Sequence, residues 1–242
     1  MGKDTGISWT THTWNPWRGC LKVSPGCKIC YMYRDQTRYG KNPAEVVRAK
    51  PTTFNAPQRW KEPAHVFTCS WSDWFIEEAD EYRPEAWEII KNTPHLIYQI
   101  LTKRPENIAG RLPADWGAGY PNVWLGVSVE SQEYADERIP TLLEQPAALH
   151  FLSIEPLLSE VTLNNTDEWL NKVGWVIVGG ESGGGYRPME PAWALSVRDQ
   201  CGAYGVPFFF KQHGGTKKID GEWGGNKLSG RTWQDMPKET HV

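Results

Sequence analysis

Apolar residues in this chain gather in seven short runs rich in β-branched and aromatic side chains, and longer polar stretches separate the runs. Runs of this length and composition, bounded by Gly, Pro and Asn, are typical of β-strands. The runs that begin at residues 123 and 175 are almost continuously apolar, which indicates strands covered on both faces. The predicted strands cover residues 7–14, 65–71, 95–102, 123–130, 149–155, 175–181 and 207–212.

Helical patterns occupy four of the intervals between these strands, at residues 84–92, 104–111, 132–144 and 191–204. The first has Pro at an early position, and the last ends at Gly205, as helices commonly do. Strands that alternate with helices predict βαβ units and a parallel sheet. Because the crossovers of such units are right-handed, six or seven of them curl into a barrel. We therefore expect an α/β fold, a partial (β/α)6–7 TIM-like barrel.

The barrel is expected to occupy residues 1–215 as a single domain. Residues 216–242 are polar and Gly-rich, and their anchors are expected to be Trp223 and Trp233. This segment predicts a small hairpin appendix or a lid.

Polar side chains follow the predicted strands at their carboxyl ends. In a parallel barrel these ends lie on one face, where active sites are built. The strand ends therefore supply the candidate binding groups, which are Ser70, Ser72, Asp73, Ser128, Glu130, Glu155 and Glu181. Cys69 and Lys211 are candidate catalytic residues, although a lone Cys is usually a small buried core residue. Lys103 and Arg104 could bind anions, but for Arg104 we favour a solvated loop charge.

Charge is distributed unevenly along the chain. The net charge is −3, yet residues 1–60 hold ten Lys or Arg against three Asp or Glu. Such an asymmetry indicates an anionic partner near this segment, a phosphate-bearing substrate or nucleic acid. A solvated basic surface is the alternative.

The longest apolar runs are far shorter than the roughly 20 residues of a membrane helix. The first residues contain no apolar core of a secretion signal. We therefore expect a cytoplasmic protein without a membrane partner, in a compartment where thiols stay reduced.

Three of the five cysteines, Cys20, Cys27 and Cys30, lie within eleven residues in a C-x6-C-x2-C pattern. In a reducing compartment such a group indicates metal binding or catalysis before it indicates a disulfide. A structural zinc ion would need a fourth ligand, which His12, Cys69 or Cys201 would have to supply. A [4Fe–4S] cluster held by three thiolates instead leaves one iron open to a reactant. We favour the cluster.

This loop resembles that of the radical S-adenosylmethionine (SAM) superfamily, with apolar Ile29 before Cys30 and aromatic Tyr31 after it. The superfamily's common spacing is C-x3-C-x2-C, so the first interval is longer here, and Pro25 and Gly26 predict the turn that folds it back. More closely, several segments resemble a phage and prophage protein family of unknown function that is usually regarded as radical-SAM-like. These segments, which span about residues 7–214, are TWNPWRGC, VSPGCKICY, LTKRPENI, GVSVES, SIEPLL, GWVIVGGESGGGYRPM and GVPFFFKQHG.

The resemblance implies that the three cysteines bind three irons of a [4Fe–4S] cluster while SAM chelates the fourth. It implies an external electron donor and the cleavage of SAM to methionine and a 5′-deoxyadenosyl radical, which takes hydrogen from the substrate. It further implies that Ser70, Ser72 and Asp73 lie near the methionine moiety of SAM. Ser128 and Glu130 would contact the hydroxyl or amino groups of SAM. For Glu130 the alternative is an ion pair at the edge of the core.

Glu181 follows two glycines that permit close backbone approach, so it is a candidate ligand of SAM or substrate, with a plain turn as the alternative. Two other functions use the same residues. Glu130, Glu155 and Glu181 could form the carboxylate pair of a hydrolase. Alternatively, zinc would brace a non-catalytic barrel that serves a phage as a binding module. We favour the radical-SAM-like enzyme, with a nucleotide or nucleic acid as its expected substrate.

Overall fold

The computed structural model describes residues 2–163 and 169–238. Residue 1 and residues 164–168 of the predicted barrel lie outside the described residues, as do residues 239–242 of the predicted tail.

Seven parallel strands form one sheet whose spatial order follows the chain. The sheet curls into a partial barrel, with its first strand at one edge and its seventh at the other. The predicted α/β partial barrel is confirmed. Its strands are β1 (His12–Trp14), β2 (Ala64–Thr68), β3 (Leu96–Thr102), β4 (Val123–Ser128), β5 (Leu149–Ile154), β6 (Trp175–Gly179) and β7 (Phe208–Gln212).

Among the described residues, five α-helices connect the strands: α1 (Tyr31–Arg38), α2 (Pro51–Phe54), α3 (Arg83–Lys91), α4 (Gln132–Leu143) and α5 (Pro191–Tyr204). Three of the four predicted helices are confirmed as α3, α4 and α5, and α5 ends at Gly205 in the left-handed conformation. The fourth, at 104–111, is replaced by two short 3₁₀ turns, because Pro105 and Gly110 interrupt regular helix there. The 3₁₀ turns in the described part of the chain are Pro25–Cys27, Ala56–Arg59, Glu77–Ala79, Pro105–Asn107, Ala109–Arg111 and Trp169–Asn171.

Both faces of the sheet are covered by apolar side chains. Every residue of β4 and β6 is buried, as expected for strands packed on two sides. The larger apolar cluster joins strand residues to α3, α4 and α5, so it lies between the sheet and the helices. A smaller cluster on the opposite face is Trp9, Phe67, Trp124, Phe151, Trp175, Ile177 and Phe209.

The first strand is shorter than predicted. Residues 7–14 were expected to be extended, but only His12–Trp14 pair with β2. Trp9 instead turns into the smaller cluster, where its ring centroid is 4.6 Å from that of Phe67 and 6.0 Å from that of Trp175. The apolar residues before β1 therefore fill the inner face of the sheet.

Short antiparallel pairs complete the structure. Trp17–Arg18 pairs with Val47–Arg48 next to the cysteines. In the tail, Lys218–Ile219 pairs with Glu222–Trp223, and Lys227–Leu228 pairs with Arg231–Thr232.

The tail also covers the edge of the barrel. Phe210 N donates to Trp233 O at 2.8 Å and Asp235 N donates to Phe208 O at 3.2 Å, so residues 233–235 run along β7. An edge strand covered in this way cannot pair with another chain. In the described part of the chain, no helix has both the length and the apolar character that crossing a bilayer requires.

Candidate functional site

The cysteine loop, which we define as residues 19–30, begins against the carboxyl end of β2. Gly19 N donates to Trp71 O at 3.0 Å, and the Ser72 hydroxyl donates to Gly19 O at 2.5 Å. Gly19 has φ +93°, and a β-carbon there would lie 2.0 Å from Glu45 O. Only glycine therefore allows the chain to enter the loop by this path.

The turn predicted at Pro25 and Gly26 is a 3₁₀ turn, in which Cys27 N donates to Ser24 O at 2.9 Å. Cys30 ends the loop and directly precedes α1. The Tyr31 hydroxyl then donates to Ser70 O, which ties the start of α1 back to the end of β2. Both ends of the loop are thus fixed to the same strand end.

The three loop thiols are free and partly buried. Burial raises the pKa of the Tyr33 hydroxyl, and the electrostatic effect of the Cys20, Cys30 and Cys27 side chains raises it further. All three thiols therefore lie within electrostatic reach of one side chain, whose hydroxyl donates to Cys20 O. The structure brings the predicted metal ligands to one region of the barrel mouth.

Arg104 connects Cys20 to the sheet. Its Nη1 lies 3.7 Å from Cys20 Sγ and 3.2 Å from Asp73 Oδ2, and its Nη2 donates to Leu21 O at 2.7 Å. Arg104 is only 6% exposed, so the expectation of a solvated loop charge is wrong. Burial raises the pKa of the Cys20 thiol to about 12, Asp73 raises it as well, and Arg104 opposes both.

Asp73 is held as firmly as the guanidinium it binds. Its carboxylate accepts from Thr102 Oγ1 at 2.6 Å, from Lys103 N at 2.9 Å and from Phe75 N at 2.9 Å, besides Arg104. A buried carboxylate with this many donors is fully satisfied. In this conformation Asp73 serves to orient Arg104, and its predicted contact with SAM stays a prediction.

Glu130, just beyond β4, is 0% exposed and fixes the middle of the loop. It accepts from Ser24 Oγ at 2.6 Å and pairs with Lys103 Nζ at 2.9 Å and Arg138 Nη1 at 3.3 Å. Burial alone would raise the pKa of Glu130, but Lys103 and Arg138 outweigh it and hold the pKa below its usual value. The structure thus shows the ion pair at the core edge that was the alternative to a SAM contact for Glu130. The SAM contact itself stays a prediction. Ser128, the last residue of β4, is buried, and its carbonyl accepts from Arg138 at 2.8 Å.

The remaining strand-end groups also stand at the mouth. Lys211 Nζ lies 2.5 Å from Glu155 Oε1, and both side chains are about one-fifth exposed. Arg187 binds both carboxylate oxygens of Glu181, at 2.6 and 2.9 Å. Burial alone would raise the pKa of Glu181, yet these hydrogen bonds lower it.

Cys69 is buried at the end of β2 with φ +54°. Burial raises the pKa of its thiol well above the ordinary value, and Asp73 adds to this. These properties suit a small core residue, and a hydrogen-donating role stays a prediction.

Comparison with known families places the chain. The family model described as "Protein of unknown function (DUF5131)" matches residues 4–237. The chain belongs to the DUF5131 family. No curated protein and no solved structure matches it. The match confirms the predicted membership of a family of unknown function, and in this DUF5131 chain it covers the whole cysteine loop together with all seven strand ends.

The donor chemistry of the DUF5131 loop fits a [4Fe–4S] cluster. Cluster irons are held by Cys thiolates, and each thiolate binds a different iron. Among the described residues, no group of three or more His, Cys, Asp or Glu side chains is placed to bind a single metal ion. A closed zinc site needs a fourth ligand beside the three thiols, whereas a [4Fe–4S] cluster held by three thiolates does not.

Two of the three additional ligands considered for zinc, His12 and Cys201, are engaged elsewhere. His12 Nδ1 accepts from Asp4 N at 3.0 Å, and its ring lies 4.7 Å from that of Trp60. Cys201 is buried on α5 within the larger apolar cluster.

Several site residues escaped sequence reasoning. Ser24, Tyr33, Arg138 and Arg187 each bind a loop or strand-end group, but sequence reasoning assigned a role to none of them, although Ser24 and Arg187 lie in segments that resemble the family. For Arg104 a signal existed, because it lies two residues after β3 and directly before a 3₁₀ turn, a position from which a long side chain can reach the mouth.

Proposed function

We propose that this DUF5131 protein is a radical-SAM-like enzyme that holds a [4Fe–4S] cluster through Cys20, Cys27 and Cys30 and binds SAM at the barrel mouth. The observation that carries the proposal is the anchoring of three free thiols across the carboxyl ends of β2, β3 and β4. When bound, the cluster and SAM supply a 5′-deoxyadenosyl radical after reduction by an external electron donor.

The chain's own residues hold and shield the ligand loop. Arg104 places a charged hydrogen-bond donor at Cys20 Sγ, and such donors tune a ligand sulfur and its metal. Glu130 fixes the loop through Ser24, which lies 3.7 Å from Cys27 Sγ. Two of the three thiols thus have a neighbour that is itself fixed to the barrel.

The predicted contacts with SAM and substrate differ in how far their side chains are exposed to solvent. Glu130 is fully enclosed, whereas Glu155 and Lys211 are about one-fifth exposed beside Gly179. A paired carboxylate and ammonium at an open strand end can exchange partners with the amino and carboxylate groups of a bound amino acid. We therefore place the first ligand contacts at Glu155 and Lys211.

The hydrolase alternative gains no support from the carboxylates. Glu130, Glu155 and Glu181 are bound by separate cations, namely Lys103 with Arg138, then Lys211, then Arg187. A glycosidase-type mechanism needs one carboxylic acid with a raised pKa opposite an ionised partner. The pKa values of Glu130 and Glu181 are instead lowered.

Reductive cleavage of SAM tests the proposal. The protein is purified without oxygen, reduced with dithionite and incubated with SAM, and 5′-deoxyadenosine and methionine are quantified. We expect the wild type and the control Cys201→Ala to form the two products in a 1:1 ratio and in similar yield. The Cys20→Ala/Cys27→Ala/Cys30→Ala variant should form neither product. Equal product from the triple variant, or none from an iron-loaded wild type, would refute the radical mechanism.

A further inference from the structure

We infer that α1 and the adjoining cysteine loop form a binding surface for single-stranded nucleic acid. This surface, which we call the basic track, consists of Lys22, Lys28, Arg34, Arg38, Tyr39 and Lys41.

Charge is the first argument. Residues 21–41 contain five Lys or Arg and a single acidic residue, Asp35, and all five cations are exposed. Arg34 pairs with Asp35 at 3.7 Å. Within the described part of the chain, no carboxylate forms an ion pair with Lys22, Lys28 or the two cations at the end of α1. The charges of the strand ends are compensated, whereas four of the five track cations form no ion pair among the described residues and are open to an anionic partner.

The cations form a continuous line. Tyr31, Arg34 and Arg38 are spaced i, i+3 and i+7, so they share one face of α1, while Met32 and Gln36 bury the other. The track begins before α1 and ends after it, and eight residues of helix extend about 12 Å, so one phosphate group can bind neighbouring cations such as Arg34 and Arg38 but not all five. An extended polyanion matches this arrangement.

The line reaches the mouth of the barrel. Lys22 Nζ donates to Lys28 O at 3.3 Å and lies 4.6 Å from the centre of the Tyr33 ring, so the loop cations adjoin α1. At the other side, a β-carbon on Gly183 would lie 2.2 Å from Arg34 Nη1, which places α1 against the glycine turn after β6. A strand on the track therefore passes beside the three thiols.

Exposed aromatic rings distinguish the partner. Tyr39 at the end of α1 is 69% exposed, and Tyr186 on the neighbouring glycine turn is 38% exposed. Cations interleaved with exposed aromatic side chains are typical of surfaces on which unpaired bases stack. A duplex would keep its bases stacked and so could not use the rings in this way, and an anionic membrane, whose interface also accepts Tyr, is distinguished by the vesicle measurement below. We therefore commit to single-stranded nucleic acid.

Binding to the track requires no cluster, and only the delivery of a nucleotide to the radical rests on the proposed function. Fluorescence anisotropy measures the affinity of the protein for labelled 20-nucleotide single-stranded DNA and RNA at several salt concentrations. Arg38→Glu/Lys41→Glu changes two track charges. The matched control, Lys61→Glu/Lys172→Glu, makes the same charge change at two exposed residues that precede β2 and β6, toward the opposite end of the strands.

We expect the track variant to bind at least about tenfold more weakly and to reduce the salt slope by about 1.4, since each phosphate contact on a single strand contributes about 0.7. The control should bind within twofold of wild type. Tyr39→Ala should weaken binding at least about fivefold through lost stacking, and Tyr39→Phe should restore it.

Three results would overturn the inference: no binding to either oligonucleotide, equal losses in the track variant and its control, or preferential binding to phosphatidylserine vesicles. The Cys20→Ala/Cys27→Ala/Cys30→Ala variant should still bind the oligonucleotides. Track-dependent binding without SAM cleavage would therefore reject only the proposed function, and SAM cleavage without track-dependent binding would reject only this inference.

Discussion

The hydroxyl of Ser24 donates a 2.6 Å hydrogen bond to the buried carboxylate of Glu130. This contact joins the cysteine loop to the end of β4, and Lys103 and Arg138 hold the same carboxylate from the barrel side. The position of the loop is therefore set by the ion pairs of a strand end 106 residues away.

Glu130→Gln should destabilise the protein by about 3 kcal/mol at pH 7, because removing one partner of a buried ion pair leaves an uncompensated charge. Arg138 is only 1% exposed and its Nε already lacks a hydrogen-bond partner, so it cannot regain solvation without moving. Urea unfolding measures the change. The exposed Glu137→Gln on α4 is the control and should stay within about 0.5 kcal/mol of wild type. Equal stability of the two variants would show that the Glu130 carboxylate is not needed.

Two glycine substitutions should have opposite effects on unfolding. A β-carbon on Gly26 would lie 2.4 Å from Glu130 Oε1, so Gly26→Ala should cost about 1–3 kcal/mol by forcing the loop away from the carboxylate. Gly202 lies in α5 with no atom within 4 Å of the added carbon. Gly202→Ala should therefore stabilise the protein, by up to about 1 kcal/mol. The same sign for both changes in free energy of unfolding would contradict the packing of Gly26 on Glu130.

Arg104→Lys should weaken the hold of the protein on its cluster. Lysine keeps the charge but cannot bind Cys20, Leu21 and Asp73 together, as the guanidinium does. Loss of a group that supports a metal ligand typically lowers metal retention about tenfold or more. The rate at which a chelator removes iron, followed by visible absorbance, measures this effect. Arg111→Lys, which alters a pair with Asp80 away from the loop, should release iron at the wild-type rate, and equal rates for both variants would contradict the role of Arg104.

The Glu181–Arg187 pair should make stability fall in acid. The pKa of Glu181 is lower in the folded protein than its ordinary value of 4.5, so protonation favours the unfolded chain. The contribution of the pair is complete above pH 4.5 and is lost as the pH falls through the lower, folded-state value. Urea midpoints between neutral pH and pH 3 should therefore show the advantage of wild type over Glu181→Gln shrinking in acid. Parallel curves would show that the pair adds no acid-sensitive stability.

Much of the fold could be predicted because the strands of a covered parallel sheet are themselves apolar runs. All seven strands were found within a few residues of their bounds except β1, where Trp9 is apolar because it fills the inner face. The sequence analysis did not predict helix α1, because the segment that contains the cysteines was interpreted as an irregular loop. Its buried residues, Met32 and Gln36, form too short a pattern to indicate a helix.

The site was predictable only as far as sequence neighbours define it. The cysteines and the strand-end carboxylates follow directly from the order of elements. Their partners do not, because Arg104 and Cys20 are 84 residues apart and nothing local marks the pair. An arginine in a loop is solvated in most proteins. Arg104 is buried because Asp73 and two acceptors in the cysteine loop compensate its charge.

Iron and sulfide content tests the central claim most directly. The wild-type protein and the Cys20→Ala/Cys27→Ala/Cys30→Ala variant are purified without oxygen, and iron, acid-labile sulfide and zinc are measured per chain. The proposal predicts about four irons and about four sulfides in the wild type and neither in the variant. One zinc per chain without sulfide, or iron that persists in the triple variant, would contradict a cluster held by these three cysteines.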